Sequence, residues 1–526
     1  MSKKFQITGT CIPEKHYMVH MKSQIQKIVS EYIEEGQYFS INRARQYGKT
    51  TTLYLLERYL KKEYLVISLS FEAADELFYS LYIFASGLIR NIGKDLKMQN
   101  VSEELLQNWL KPISPEFPFH DLSDRITDLC SNSPRKIILM IDEVDKSSEN
   151  QIFLSFLGLL REKYLKQQQS KDVTFQSVIL AGVYDIKNLK LKLHPGEEAK
   201  YNSPWNIAAD FNIDMSFSPS DICEMLSEYE ADWHTGMDII YISRLIYDYT
   251  SGYPYLVSGI CRLIDEAIAA PPDHSGIEPW SREGVAEAVR LMLRQPNTLF
   301  DDMIKHLAEY PDLAAVTRNI LFHGTEYSFN HYSTALNIGV MFGFLKERRG
   351  KTQIANRIFE MHLYQYFLSE ELIKTDIQTF PNAHENQFIK DGALNMDLVI
   401  KKFVEYYTDL YQEKDESFFE KQGRKMFLLY LRPIINGTGN FYVEAETRDE
   451  TQTDVIVDYL GKQYVIELKL WRGKKYNEAG EKQLIDYLNL YHLDKGYMLT
   501  FSFNKKKQTG IKEITIQGKR ILEAFV

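Results

Sequence analysis

One short stretch, Asn42-Arg-Ala-Arg-Gln-Tyr-Gly-Lys-Thr-Thr-Thr52, narrows the folds open to this chain more than any other. It lies between an apolar run, Tyr38 to Ile41, and a segment with helical spacing that starts at about Lys49. Strand, glycine-containing loop and helix in that order make a phosphate-binding loop. Gly48 lets the backbone approach a phosphate, Lys49 can reach the terminal phosphates of a nucleotide, and the Thr50 hydroxyl can hold Mg²⁺ at a helix N-terminus whose N–H groups attract anions. The loop residues Arg43, Ala44, Arg45, Gln46, Tyr47, Gly48, Lys49, Thr50 and Thr51 are therefore the candidate nucleotide contacts. The usual pattern carries a glycine five positions before Gly48, and Arg43 stands there instead.

Further along, Lys136-Ile-Ile-Leu-Met-Ile-Asp-Glu-Val-Asp145 is an apolar run ending in acids. A buried strand of this kind delivers Asp142 at its C-terminal end, where the carboxylate can orient Mg²⁺, and Glu143 can polarise the water that attacks a γ-phosphate. Apolar runs at Tyr64 to Ser70 and Thr174 to Val183 alternate with helical stretches, one of them predicted to run on to about residue 132. That alternation predicts a parallel sheet wrapped by helices. A polar residue sensing the γ-phosphate is not identifiable at Ala181-Gly182-Val183.

The 526 residues exceed what one core can organise. The pattern divides them into a P-loop domain over 1–217, a helical lid with a winged-helix-like region over 218–370, a linker over 371–395 and a small α/β domain over 396–526. Within the second segment Gly252 and Pro254 predict a helix break, Ser218 or Ser220 can cap a helix, and Val340 to Ile354 reads as two strands around a basic turn. The net charge of −10 supplies no global attraction to nucleic acid, so such a partner must be met by a local basic patch. Four scattered cysteines suggest neither a zinc cage nor a disulfide framework. A polar N-terminus and the lack of any run of about eighteen apolar residues point to a cytoplasmic protein without a membrane span.

A second chemical pattern follows Gly439. Around Asp454 and from Lys462 to Leu470 the residues alternate with period two, and the turn at Gly461 folds one strand back on the other. Asp454 on the first strand and Glu467 and Lys469 on the second then converge on one face. Two carboxylates and a lysine are what a Mg²⁺-dependent phosphodiester hydrolase needs. The acids hold the cation, and Lys469 orients or activates water and steadies the developing charge. Glu446 or Glu444 can add a ligand. The bland alternative is a hairpin with a structural Glu/Lys pair. Gln483 and Tyr487 share a face of the next helix, predicted from Glu478 to Leu490, and Arg472, Lys474, Lys475 and Lys505 to Lys507 supply positive charge nearby.

With these motifs in place, the chain resembles a bacterial family in which an AAA-ATPase-like domain is fused to a C-terminal PD-(D/E)XK nuclease-superfamily domain. The resemblance rests on NRARQYGKT, ILMIDEVD, TSGYPYLVS, IANRIFEMHLYQYF, TDVIVDYLGKQYVIELKLW and EKQLIDYL. It implies an α/β fold: a P-loop NTPase parallel sheet with a lid, then a small nuclease-like domain. It also implies ATP and Mg²⁺ as cofactors, Glu143, Asp454, Glu467, Lys469 and Gln483 as catalytic residues, and Thr50, Asp142, Asp454, Glu467 and Glu446 as metal ligands. The function expected is an ATP-regulated DNA endonuclease, with nucleic acid, DNA first, as partner, a homo-oligomeric assembly, and a role linked to mobile elements or phage defence. The alternative is an ATP-dependent switch or adaptor whose nuclease-like domain binds without cutting.

Overall fold

The protein is described by a computed structural model covering residues 3–147, 150–183, 204–269, 277–323, 325, 327–374, 388–390, 393–410, 424, 427–428, 430–431, 434–435, 439–446, 452–459, 461–471, 474–502 and 509–526. For 439–446, 452–454 and 474–476, among others, the backbone alone is described. Two compact units emerge: Met1–Phe217 with Val340–Gly343, and Ser218–Gly339 with Phe344–Val526.

The first unit is built on four strands, β1 (Phe39–Asn42), β2 (Leu65–Ser70), β3 (Ile137–Asp142) and β4 (Ser177–Gly182), in the order β1-β4-β3-β2 and all parallel. All six residues of β3 are buried, as expected of a strand covered on both faces. Ile137, Leu139 and Ile141 join one core with α2 (Leu81–Met98), α3 (Pro118–Asn132) and α4 (Gln151–Gln168), which leaves Ile138 and Met140 for the opposite face. The helix after the phosphate loop, α1 (Lys49–Leu60), buries Leu53, Leu56 and Leu60.

The long helix expected after β2 is in fact interrupted. α2 ends at Met98, Asn100 adopts φ 54°, and a short helix, Glu103–Trp109, starts under a Ser102 cap before α3 begins with Pro118 at its first position. Trp109 is buried and donates its indole N–H to the Ile89 carbonyl at 2.8 Å, which folds the short helix back on α2. The stretch from Ser203 reads in the sequence as a strand leading to a helix, but the structure has a 3₁₀ turn, Pro204–Ile207, and a single parallel bridge from Ala209 to Phe39 on the outer edge of β1.

In the second unit, α5 (Pro219–Trp233) opens with a capping box, Ser218 accepting from the Asp221 N–H while the Asp221 carboxylate accepts from Ser218 N–H. α6 (Ile239–Thr250) stops at Ser251 and Gly252, both left-handed, and α7 (Pro254–Leu263) starts on Pro254, so the helix break falls at the residues that predicted it. After α8 (Arg282–Arg294) come three short strands, β5 (Tyr327–Ser328), β6 (Leu345–Arg348) and β7 (Lys351–Ile354), in the antiparallel order β5-β7-β6. The turn between β6 and β7 has positive φ at both Arg349 and Gly350, the twist a two-residue hairpin favours.

The helix α9 (Arg357–Lys374) runs four residues into the segment read as a linker, and residues 375–387 lie outside the described part. α10 (Met396–Leu410) then packs on one face of a mixed sheet made of β8 (Gly439–Glu446), β9 (Gln452–Tyr459), β10 (Lys462–Leu470), β11 (Lys495–Phe501), β12 (Gly510–Ile516) and β13 (Lys519–Phe525). Its order is β8-β9-β10-β11-β13-β12, antiparallel at both ends and parallel from β10 through β11 to β13. Phe403 and Tyr407 of α10 meet Phe501 on that face. The other face is covered by α11 (Lys474–Leu490), which starts four residues before the predicted Glu478. The helical spacing of Glu416 to Leu431 predicts a further helix, most of which falls outside the described residues.

Candidate nucleotide site and candidate metal centre

At the C-terminal ends of β1 and β3, the loop and the acids meet. Gly48 takes φ 79°, a backbone state that costs a side-chain-bearing residue about 1–2 kcal/mol, and it delivers the chain into α1. Thr50 donates its hydroxyl to Asp142 Oδ2 at 2.7 Å, joining the residue that can hold Mg²⁺ to the carboxylate that can orient it. Lys49 is buried and donates Nζ to the Arg43 and Ala44 carbonyls at 3.0 and 3.1 Å. Burial pulls its pKa down, against the opposing pull of Asp145, Glu143 and Asp142. The lysine is thus a cation held beside the loop by weak carbonyl acceptors, which a phosphate can replace with stronger ones. The donor set, a hydroxyl, a carboxylate and a buried ammonium beside a helix N-terminus, fits a magnesium–nucleotide.

Glu143 sits at φ 56°, with its N–H donating to Asp142 Oδ1 at 2.9 Å. Burial and then the neighbouring Asp142 charge push its carboxyl pKa up, which suits a group that is to accept a proton near neutrality. Strained backbone at such a position is a frequent mark of functional sites.

Arg43, placed by its sequence position among the nucleotide contacts, directs its guanidinium elsewhere. It donates to the Asn42 carbonyl at 2.8 Å and to the Ile213 carbonyl at 2.7 Å, and it stacks over the Phe211 ring at 5.2 Å. Tyr47 reaches the same returning segment, its hydroxyl 2.6 Å from Ser216 Oγ. Ala44 is buried, Arg45 is exposed, and Gln46 is left-handed at φ 57°. Two features escaped the sequence reading. Asp145 clamps the end of β4 by accepting from Val183 N–H at 2.8 and 2.7 Å, and Thr51 Oγ1 accepts from Cys11 N–H at 3.1 Å, fixing the N-terminal segment over the start of α1. Asp145 belongs to the visible acidic run, so its presence was legible though its partner was not. Nothing near Cys11 signalled a contact 40 residues away.

In the second unit, β9 and β10 form the expected hairpin. Val455 pairs with Ile466, so Asp454 and Glu467 each adjoin that pair on the same side of it. Glu467 is fully buried and its Oε1 lies 2.8 Å from Lys469 Nζ. Glu467 pairs with Met498 and Lys469 with Thr500 on β11, positions that alternate with those facing α10. Gly480 of α11 approaches the Lys469 side chain and Met498 from above: a Cβ there would lie 3.2 Å from Lys469 Cε. Gln483 and Tyr487 lie one turn apart on α11, Tyr487 buried and stacked on Tyr491. The side chains of Asp454, Glu444 and Glu446, and the basic groups Arg472, Lys474, Lys475 and Lys505 to Lys507, lie outside the described residues. Among the described residues no group of three or more acidic, His or Cys side chains could by itself hold a metal, so a metal there would need those acids as well as Glu467. No helix among them is long and apolar enough to cross a membrane.

Among solved structures, the Walker-type ATPase of Pyrococcus abyssi is similar over 68% of this chain and 99% of its own, at 13% identity and a TM-score of 0.43. The Thermotoga maritima RuvB Holliday junction branch migration motor is similar over 63% of this chain and 91% of its own, at 12% identity and a TM-score of 0.32. No curated protein matches the chain. Residues 9–267, which hold the phosphate loop, Asp142, Glu143 and the helices through α7, match the AAA-like domain family, and the N-terminal region of this chain is therefore an AAA-like domain.

Proposed function

We propose that the chain is an ATP-regulated, Mg²⁺-dependent deoxyribonuclease: an ATPase formed by residues 1–217 with a helical lid and winged-helix-like region over 218–370, joined through 371–395 to a phosphodiesterase over 396–526. The observation that carries the ATPase half is the Thr50–Asp142 hydrogen bond at 2.7 Å beside the buried Lys49. Lys49 would take the β- and γ-phosphates, Thr50 and Asp142 would hold the magnesium, and Glu143 would draw the proton from the attacking water. Bound magnesium supplies the positive charge that offsets the phosphates.

In the phosphodiesterase half, the buried Glu467 with Lys469 at 2.8 Å supports the reading. A carboxylate with no exposure is costly to keep unless it is paired or functional. Glu467, Asp454 and Glu446 would hold Mg²⁺, Lys469 would position the water, and Gln483 on α11 would support the site. DNA is the proposed substrate, a homo-oligomer the working form and the cytoplasm the location.

A second reading has one observation in its favour. Glu467 already has Lys469 as a counter-charge at 2.8 Å, as a structural pair would, which suits an ATP-dependent switch or adaptor whose nuclease-like domain only binds. Purified protein incubated with plasmid, linear and single-stranded DNA, with and without ATP and Mg²⁺, decides between the two. Cutting abolished by Lys469→Ala with ATP binding retained, and altered in its ATP response by Glu143→Gln, supports the nuclease. Absence of cleavage by the wild type with Mg²⁺ or Mn²⁺ plus ATP supports the adaptor.

A further inference from the structure

One edge of the β9–β10 hairpin is open near its turn: β9 pairs with β8 through Tyr459, but β10 does not pair with β11 along its whole length. Pairing of β10 with β11 begins at Ile466, so Lys462 to Val465, together with the turn at Gly461, extend past that parallel register. On the face that alternates with Tyr464, the helices α6 and α8 grip this overhang. Tyr249, in the last turn of α6, donates its hydroxyl to Asp458 Oδ2 at 2.8 Å, and both residues are buried. Asp458 pairs across the hairpin with Gln463, whose side chain also bonds it, and Arg282 of α8 donates to Gln463 Oε1. Arg357, which opens α9, adds positive charge to the same cluster. At the turn itself Gly461 has φ 79°, and a Cβ there would fall 2.7 Å from Glu283 Cγ and 3.3 Å from its Cα, so α8 lies against bare backbone. Tyr464 is held on the opposite face by the Leu394 carbonyl at 2.7 Å.

Asp458 and Asp454 share β9, four residues or about 13 Å apart along a strand, and Glu467 lies four residues beyond Gln463 on β10. A rigid strand pinned at Asp458 fixes where Asp454 comes to lie beside Glu467. We propose that Tyr249 and Asp458 are positioning residues for the β9–β10 hairpin, so that the candidate metal centre is set by helices α6 and α8 of the lid region and is incomplete in residues 396–526 alone. This rests on the phosphodiesterase reading for its functional consequence, though not for its structural one.

Tyr249→Phe removes only the hydroxyl, and Asp458→Asn keeps a carbonyl acceptor for it. In the full-length protein, Tyr249→Phe is expected to raise hydrogen exchange of the amides in 452–470 by about tenfold, the loss of one buried hydrogen bond, with the amides of β11 and β13 unchanged. It is also expected to weaken binding of Mn²⁺, used alone as the probe, by about the same factor, while Asp458→Asn, with one acceptor left for Tyr249 and Gln463, falls between wild type and Asp458→Ala, and Asp458→Ala weakens it at least as much as Tyr249→Phe. Exchange that is unaltered in the hairpin, or that rises evenly over the whole sheet, overturns the positioning role. If the wild type binds no Mn²⁺, or binds it equally after Glu467→Gln, the phosphodiesterase reading fails, and hydrogen exchange still decides whether Tyr249 holds the hairpin.

Discussion

Lys163 offers the sharpest test of how the first unit holds its shape. Its ammonium is almost fully buried, 2% exposed at the side chain, and donates to Asp172 Oδ2 at 2.8 Å, Thr127 Oγ1 at 2.7 Å and the Ser123 carbonyl at 3.1 Å. Together they tie α3, α4 and the approach to β4 into one block. Removing one partner of a fully buried ion pair costs roughly 3–5 kcal/mol because the remaining charge is left uncompensated. Asp172→Asn should cost less, about 2 kcal/mol, since Lys163 keeps two neutral acceptors and Asp172 is itself 13% exposed. Lys163→Met should cost only about 1 kcal/mol, because the carboxylate left behind reaches water and keeps Thr127 and the Val173 N–H. Burial would raise the Asp172 pKa, but its hydrogen bonds from Lys163, Thr127 and Val173 outweigh that and hold it below the ordinary value. The contribution is therefore present above about pH 3.9, the unfolded value, and is lost as pH falls through the lower folded value. Urea unfolding read by segment-resolved hydrogen exchange isolates α3 and α4 from the rest of a multidomain chain. An Asp172→Asn cost no larger than that of Lys163→Met, or a gap between wild type and Asp172→Asn that stays constant below pH 4, would refute the asymmetry.

Three further outcomes follow from the geometry. Thr50→Val deletes the hydroxyl on Asp142 and should weaken magnesium–nucleotide binding by about tenfold or more while leaving metal-free nucleotide binding less affected, as read by titration with a fluorescent ATP analogue. Glu143→Gln should retain ATP binding and slow hydrolysis by about a hundredfold or more, measured as phosphate release; hydrolysis at the wild-type rate rules out Glu143 as the base. Gly461→Ala meets both a left-handed backbone and the Glu283 side chain, so it should destabilise the hairpin by about 1–2 kcal/mol or more from the backbone alone, seen as faster exchange in β9 and β10.

What could be read from the sequence was what is local. The strand Ile137–Asp142 is a continuous apolar run because both its faces are covered, and its acidic end sits where the run stops. Ser218, Gly252 and Pro254 act within a few residues of themselves, so their helix boundaries were legible. The helix after β2 was read too long because its apolar spacing hides the left-handed Asn100 and the Ser102 cap. The contacts that position the two candidate sites span far more chain: 170 residues between Arg43 and Ile213, and 209 between Tyr249 and Asp458. No periodicity carries such a pairing. In the last strands, buried Glu523 with Lys512 at 2.6 Å and Asn477 at 3.1 Å was also invisible, since β13 lies between β11 and β12 rather than at the sheet edge.

The arginine in place of the first loop glycine shows how a motif can depart from its pattern without losing its geometry. A glycine is favoured where the backbone itself must turn left-handed, and in this loop the left-handed residues are Gln46 and Gly48, not Arg43. At Arg43 the side chain has room to leave the loop, and its donors fasten the Ile213 carbonyl while Phe211 covers its face. Its own N–H meanwhile bonds the Gly182 carbonyl at the end of β4. Arg43 thus links three segments, the loop, the end of β4 and the returning segment at 211–213, where a glycine would keep only the backbone bond to Gly182. Arg43→Gly would match the common pattern more closely and should nonetheless weaken nucleotide binding, because the loop would lose the strut that holds its entrance; tighter binding in that variant would show that the loop needs flexibility there and that the strut is incidental.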